Sequence, residues 1–283
     1  MTTTRTAPID SSPVDLAAAR AIEAAEGRAW TDLYDAAPPH FAEAAGIGHA
    51  EIGGALVLCW AATGRRYFSR TVGLGVLEPA TPRVVDRILD HYERAGIDEF
   101  LLQSLPHCQP AGYEDWLLER GLTAFDRQDR VFRGGEPVSA LPADGLVVER
   151  VERESADEWS EFLQRIYRLD TGPWLPELIE RPGWHQYVAR EDGRIVAARG
   201  MYIGPDGTAW WGMDGPVPGV MTGVYEHDAA LCAFMVEDGL ARGAGGFIAD
   251  IEAPSDDMDT RAYEYFGRLG FRRPYVRTHY ARI

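Results

Sequence analysis

One pattern occurs twice in this chain at nearly constant spacing. Arg94-Ala-Gly-Ile-Asp-Glu-Phe100 is answered by Arg242-Gly-Ala-Gly-Gly-Phe247, which puts Gly96 and Gly243 147 positions apart. Tyr113-Glu-Asp-Trp-Leu-Leu-Glu-Arg-Gly121 is answered by Tyr263-Glu-Tyr-Phe-Gly-Arg-Leu-Gly270, with Gly121 and Gly270 149 apart. In each copy a helix-like run precedes the glycine and an apolar or aromatic strand follows it. Solenoid units are only about 20–50 residues long, so a period of this size means two copies of one domain. A chain of 283 residues agrees, at about 150 residues per domain.

The expected organisation is a disordered tail at 1–14, an N-terminal domain at 15–137, a breaker-rich linker at 138–145 and a C-terminal domain at 146–283. A 46% hydrophobic content is enough for a core in each half. The net charge of −16 argues against nucleic acid and anionic membrane surfaces as partners. No apolar run reaches the roughly 18 residues of a membrane span. Cys59, Cys108 and Cys232 are few, odd in number and widely spaced, which fits buried thiols in a cytoplasmic protein rather than disulfides or a zinc site.

Periodicity places helices at 17–37, 82–95 and 113–120, with strands at 51–61, 67–76, 100–105 and 125–133. The 51–61 and 67–76 strands are expected to turn at Thr63-Gly64. The second half reads as a strand at 146–151, a helix capped by Ser155 with Glu158 completing a capping box, and a short helix at 173–180. Three strands then follow at 186–190, 195–203 and 208–213, with Glu191-Asp-Gly193 and Pro205-Asp-Gly207 as hairpin turns. A helix at 226–242, a strand at 247–251, a helix at 257–269 and a strand at 275–280 complete the chain. The fold class is α/β: two domains, each a mixed, mostly antiparallel sheet flanked by helices.

Several segments, taken in that order, resemble the GNAT (N-acetyltransferase) superfamily. Arg181-Pro-Gly-Trp-His-Gln-Tyr-Val-Ala189 and Asp192-Gly-Arg-Ile-Val-Ala-Ala198 look like its second and third strands. Ala262-Tyr-Glu-Tyr-Phe-Gly-Arg-Leu-Gly-Phe271 resembles the end of its last helix. The resemblance implies a tandem-domain GNAT with a reduced N-terminal copy, and acetyl-CoA or another acyl-CoA as cofactor. It also implies a glycine-rich loop whose backbone amides, at a helix N-terminus, hold the cofactor's diphosphate. Here that loop reads Val217-Pro-Gly-Val-Met-Thr-Gly223-Val-Tyr225. It keeps one glycine in place, lacks a leading Arg or Gln, and is followed by Glu226 and Asp228. The cofactor contacts expected from the resemblance are Trp211, Met213, Thr222, Gly223 and Tyr225. The family's general-acid tyrosine falls on Phe266, which carries no proton to give, and Tyr263 and Tyr265 stand nearby.

Strand alternation sends one of Trp210 and Trp211 towards a cleft and the other into the core, unless both pack under helices. Glu226, His227 and Asp228 open one helix, while Asp250 and Glu252 end the adjacent strand. His227 and Glu252, with Asp228, are the catalytic candidates, because a carboxylate beside an imidazole makes a general base. The same groups could instead cap the helix or hold a divalent metal, although no metal-binding spacing is present and no metal is expected. His185 reads as structural, and His107-Cys108 as neighbours that point apart along a strand. The expected function is acyl-CoA-dependent N-acylation of a small-molecule amine in the C-terminal domain, by a monomer or homodimer. The alternatives are a GNAT-fold lyase, hydrolase or isomerase that no longer uses acetyl-CoA, and a noncatalytic ligand-binding protein.

Overall fold

A computed structural model describes residues 9–139, 145–216, 224–252 and 261–283. The chain divides into two compact units that are discontinuous in sequence: Pro13–Asp129 with Tyr275–Ile283, and Met1–Ser12 with Arg130–Pro274. The expected boundary at 138–145 is therefore displaced to Asp129/Arg130, and residues 275–283 are grouped with the N-terminal unit. Within the span expected as a tail, residues 9–14 are described. Ile9 is buried, and the Ser12 amide bonds the Arg273 carbonyl at 2.9 Å.

In the N-terminal unit, Asp15 caps α1 (Leu16–Asp35) by accepting from the Ala18 amide at 2.8 Å. After α2 (Pro39–Ala45), β1 (Ile47–Ile52) and β2 (Ala55–Trp60) form a hairpin that pairs with β3 (Thr71–Val72). The hairpin turns at Gly53-Gly54, both at positive φ (60° and 74°), and not at the expected Thr63-Gly64. A Cβ at Gly53 would stand 2.5 Å from Val84. The strand expected over 67–76 shortens to Thr71–Val72, because residues 66–68 form a helical turn. Thr81 caps α3 (Pro82–Arg94), whose apolar face buries Val85, Ile88 and Tyr92. Tyr92 stacks on Phe100 with ring centroids 4.5 Å apart.

The unit continues through β4 (Leu102–Ser104) and α4 (Glu114–Glu119) to the first part of β5 (Thr123–Gly134). The chain's final strand, here numbered β11 (Arg272–Ala281), runs between β4 and β5, with Thr278, His279 and Tyr280 opposite Ser104, Gln103 and Leu102. Arg277, fully buried, fixes this strand to α1. Its guanidinium bonds Glu23 at 2.5 Å and also bonds Glu26, and neither carboxylate is exposed. Tyr275 donates to Glu23 at 2.6 Å.

In the C-terminal unit, β6 (Leu146–Arg150), β7 (Trp184–Glu191), β8 (Arg194–Ile203) and β9 (Thr208–Pro216) form an antiparallel meander. β10 (Gly246–Glu252) then lies parallel to β9, with residues 130–134 at its other side. α5 (Ala156–Tyr167) packs on β8 and β9. α6 (Val224–Ala241) packs on β6 to β9 and against α7 (Arg261–Arg268). The helix expected at 173–180 is a single 3-10 turn, Leu175–Leu178.

The expected capping box does not form. Residues 153–155 already make a 3-10 turn, so the Ser155 hydroxyl donates back to Glu152, and Glu158 is drawn to Arg190 at 2.6 Å. In the C-terminal unit the expected order of strands and helices is otherwise present among the described residues. In the N-terminal unit α2 and β1 are not among the expected elements, and the strand expected at 51–61 is interrupted by the Gly53-Gly54 turn.

The Arg277→Ala variant leaves two carboxylates facing each other in the core. It should lose about 3–5 kcal/mol of stability, measured by urea unfolding of the N-terminal unit. A loss near zero would mean that the charge cluster does not hold β11.

Candidate functional site

The C-terminal unit contains a gap built by its sheet. β9 and β10 pair through Thr208/Gly246, Ala209/Phe247 and Trp210/Ile248. Both strands then continue, to Pro216 and Glu252, with no further pairing between them among the described residues. Parallel strands that part in this way leave backbone N–H and C=O groups lining an opening.

Beside the opening β9 carries a bulge. Ala198 pairs with Gly215 and Gly200 with Gly212, so Met213 and Asp214 together oppose Arg199. Met213 sits at φ 52°, a left-handed conformation that only surrounding structure imposes on a side-chain-bearing residue. Gly212 and Gly200 make the bulge possible. A Cβ on Gly212 would stand 2.0 Å from the Trp210 ring, and one on Gly200 would stand 2.4 Å from the Met213 methyl.

Arg199 faces α6 and is nearly buried. Its Nε and Nη2 donate to the two oxygens of Asp228, each at 2.7 Å. The Tyr265 hydroxyl from α7 donates to the same carboxylate and lies 3.4 Å from Arg199 Nη2. Asp214 approaches Arg199 at 3.9 Å, and Tyr167 at the end of α5 donates to the Asp214 carbonyl at 2.6 Å. Burial and the Asp228 charge push the Tyr265 phenol well above its ordinary range. Burial does the same to the Cys232 thiol. These two groups therefore stay protonated beside the Arg199–Asp228 pair. An arginine inside the apolar run Ile195-Val-Ala-Ala-Arg-Gly-Met201 is the sequence signal for this cluster, since a buried cation requires a carboxylate.

The expected site residues are only partly brought together. Asp228 lies near the start of α6 and is already bonded by Arg199 and Tyr265. His227 Nε2 lies 3.8 Å from Glu191 on β7. Glu252 ends β10, with its side chain outside the described residues, as is that of Tyr225. Thr222 and Gly223 also lie outside them.

Trp211 corrects an expectation. Its ring is 2% exposed and packs against Phe247, Phe266 and Phe271, so the cleft-facing role fails. Trp210 is also buried, 6.2 Å from Trp184, on the opposite face. Both tryptophans thus pack under helices, because each face of the sheet is covered. Asp250 pairs with buried Arg130 at 3.3 Å.

Among the described residues, no group of three or more His, Cys, Asp or Glu is placed to hold a metal ion, and no helix is long and apolar enough to cross a membrane. His107 bonds the Val14 carbonyl, while Cys108 bonds that of Leu74 and is pushed by burial up to about 11.

No protein-family model and no curated protein matches the chain. Solved structures do. A GCN5-related N-acetyltransferase from Kribbella flavida is similar at a TM-score of 0.58 and 17% identity, over 83% of this chain and 88% of that one. A tandem GNAT protein from the clavulanic acid biosynthesis pathway is similar at 0.53 and 13%, over 81% and 78%. A GCN5-related N-acetyltransferase from Sphaerobacter thermophilus is similar at 0.50 and 14%, over 80% and 79%. The chain has the GNAT fold, in tandem.

Removing Asp228 strands the Arg199 guanidinium. Asp228→Ala should cost about 3–5 kcal/mol, and Tyr265→Phe about 1.5–3 kcal/mol, by denaturant unfolding. The reverse order would show that Tyr265, not the ion pair, fixes α6. His185 supplies a pH test. Burial, with Arg242 and Arg150 nearby, lowers its pKa to about 4 from an ordinary 6.5. Between those values the unfolded chain holds a proton that the folded one does not, so stability falls as pH drops from 6.5 towards 4. His185→Asn should flatten the fall in melting temperature between pH 7 and 5. An unchanged slope would refute the assignment.

Proposed function

We propose that the chain transfers an acyl group from a coenzyme A thioester to an amine of a small molecule, in the opening between β9 and β10. The observation that carries this reading is the parting of those strands beside the Met213–Asp214 bulge. An extended chain of amides, such as the pantetheine arm, can continue the hydrogen-bonding edge of β9 where β10 has left it. The described residues fit that part of the cofactor. The loop that would hold its diphosphate, with Thr222 and Gly223, lies outside them. When bound, the thioester supplies an activated acyl carbon.

The chain's own residues would do the rest. The β9 edge at 211–214 would orient the arm through backbone groups, with Met213 as an apolar side-chain contact. Glu252, at the open end of β10, would accept the amine proton, and His227 stands as the alternative base. Asp228 would act as a positioning residue, since Arg199 and Tyr265 already occupy its oxygens. Its role is to fix the start of α6, from which any diphosphate contact would be made.

A second reading, a GNAT-fold protein that no longer uses acetyl-CoA, draws on Phe266 and Tyr265. Phe266 stands where the superfamily's acid tyrosine is expected and is fully buried, while the neighbouring Tyr265 hydroxyl is committed to Asp228.

Calorimetric titration with acetyl-CoA and desulfo-CoA separates the two. Saturable heat with a Kd of about 1 mM or tighter is expected, and no heat at that concentration would favour the second reading. In the first case Glu252→Gln should lower kcat by about 100-fold with little change in KM. Equal turnover would remove Glu252 as the base.

A further inference from the structure

The β9 bulge needs something to hold it. Met213 and Asp214 together oppose Arg199, so they fall out of the regular ladder with β8. On the other side of β9, pairing with β10 is given only as far as Trp210/Ile248. Asp214 thus belongs to a stretch without regular register on either flank. A backbone carbonyl in such a place must find a donor elsewhere. It finds one 47 positions away, where the Tyr167 hydroxyl donates to the Asp214 carbonyl at 2.6 Å.

Two strained residues flank this bond. Among the described residues, four that carry side chains have positive φ: Arg168, Glu180, Asp192 and Met213. Arg168, at φ 50°, follows Tyr167, and Met213, at φ 52°, precedes Asp214. Such conformations persist only where the surrounding structure imposes them, and they gather at functional geometries. Arg168 also ends α5, since its amide and that of Leu169 both bond the Gln164 carbonyl. Glycine is the usual residue at that kind of helix end. The helix therefore stops with Tyr167 as its last residue. Trp159 and Leu163, two turns and one turn earlier on the same face, are buried.

The phenol is suited to a fixed contact rather than to proton transfer. Burial, and then the Asp214 carboxylate, push its pKa well above the ordinary range, against the opposing pull of Arg199. It stays a donor and is a poor acid for a leaving thiolate.

We propose that Tyr167 is a positioning residue for the acyl donor. Its hydroxyl holds the Met213–Asp214 bulge, and with it the backbone edge of β9, in the shape that receives an extended chain of amides. The inference rests on the acyl-transfer reading above and adds to it the side chain that sets the binding edge. Because the bond exists in the free protein, the arm meets an edge already in place and loses less on ordering it.

Tyr167→Phe removes one oxygen and keeps the ring. In calorimetric titrations well below the melting temperature, this variant should bind desulfo-CoA about tenfold more weakly than the wild type, as for the loss of one neutral hydrogen bond. Amide hydrogen exchange should quicken at residues 212–215 and stay unchanged in α6 and β7. Tyr187→Phe is the control: it removes an equivalent phenol, which donates to Asp238 at 2.6 Å, and should leave the affinity unchanged. Wild-type heat with an unchanged Kd in Tyr167→Phe would overturn the role of Tyr167 and leave the acyl-CoA reading standing. So would equal weakening by Tyr187→Phe, or faster exchange spread evenly over the unit, since either means a general loosening. No heat from the wild type would overturn the acyl-CoA reading and this inference with it.

Discussion

A guanidinium cut off from water must be met by carboxylates, and each unit uses that requirement to attach a helix to its sheet. In the N-terminal unit Arg277 on β11 is bonded by Glu23 and Glu26 of α1. In the C-terminal unit Arg199 on β8 is bonded at both nitrogens by Asp228 of α6. Apolar packing alone would let a helix slide along a sheet at little cost, whereas a directional pair of charge-assisted bonds fixes one register. A hydrophobic replacement of similar shape could be as stable, so such pairs act as specificity devices as much as sources of stability. The price is that neither carboxylate set can be spared for proton transfer.

That constraint reshapes the functional picture. Asp228 lies near the start of α6, and its oxygens are occupied by Arg199 and Tyr265. The bulge that carries Met213 and Asp214 opposes Arg199, so the ion pair and the strained backbone belong to one construction. The opening between β9 and β10 leaves backbone groups unpaired between those strands and lies beside that charge pair.

Much of the fold was legible because it rests on local signals. Periodicity placed α1, α3 and α6 within a few residues, and Asp192-Gly193 and Asp206-Gly207 turns marked the meander β7–β9. The failures were also local in origin. Gly53-Gly54 is a stronger hairpin turn than Thr63-Gly64, because both residues must take positive φ. The Ser155 capping box lost to Arg190, a competitor 32 residues further along that claims Glu158. Trp211 could not be oriented by alternation alone, since both faces of its strand are covered and both tryptophans are buried.

From the sequence alone follow the duplication, the α/β class and the order of elements, because each is written in spacing and side-chain type over a few turns or strands. The tertiary structure decided which strand completes which unit, sending 275–283 back beside β4. It also decided that β9 and β10 part after Trp210 and that Arg199 claims Asp228. Those outcomes depend on pairing between residues up to 254 positions apart, as for Arg277 and Glu23. Strand edges and buried charges carry no label naming a distant partner. They acquire one only when the whole chain competes for the same hydrogen bonds.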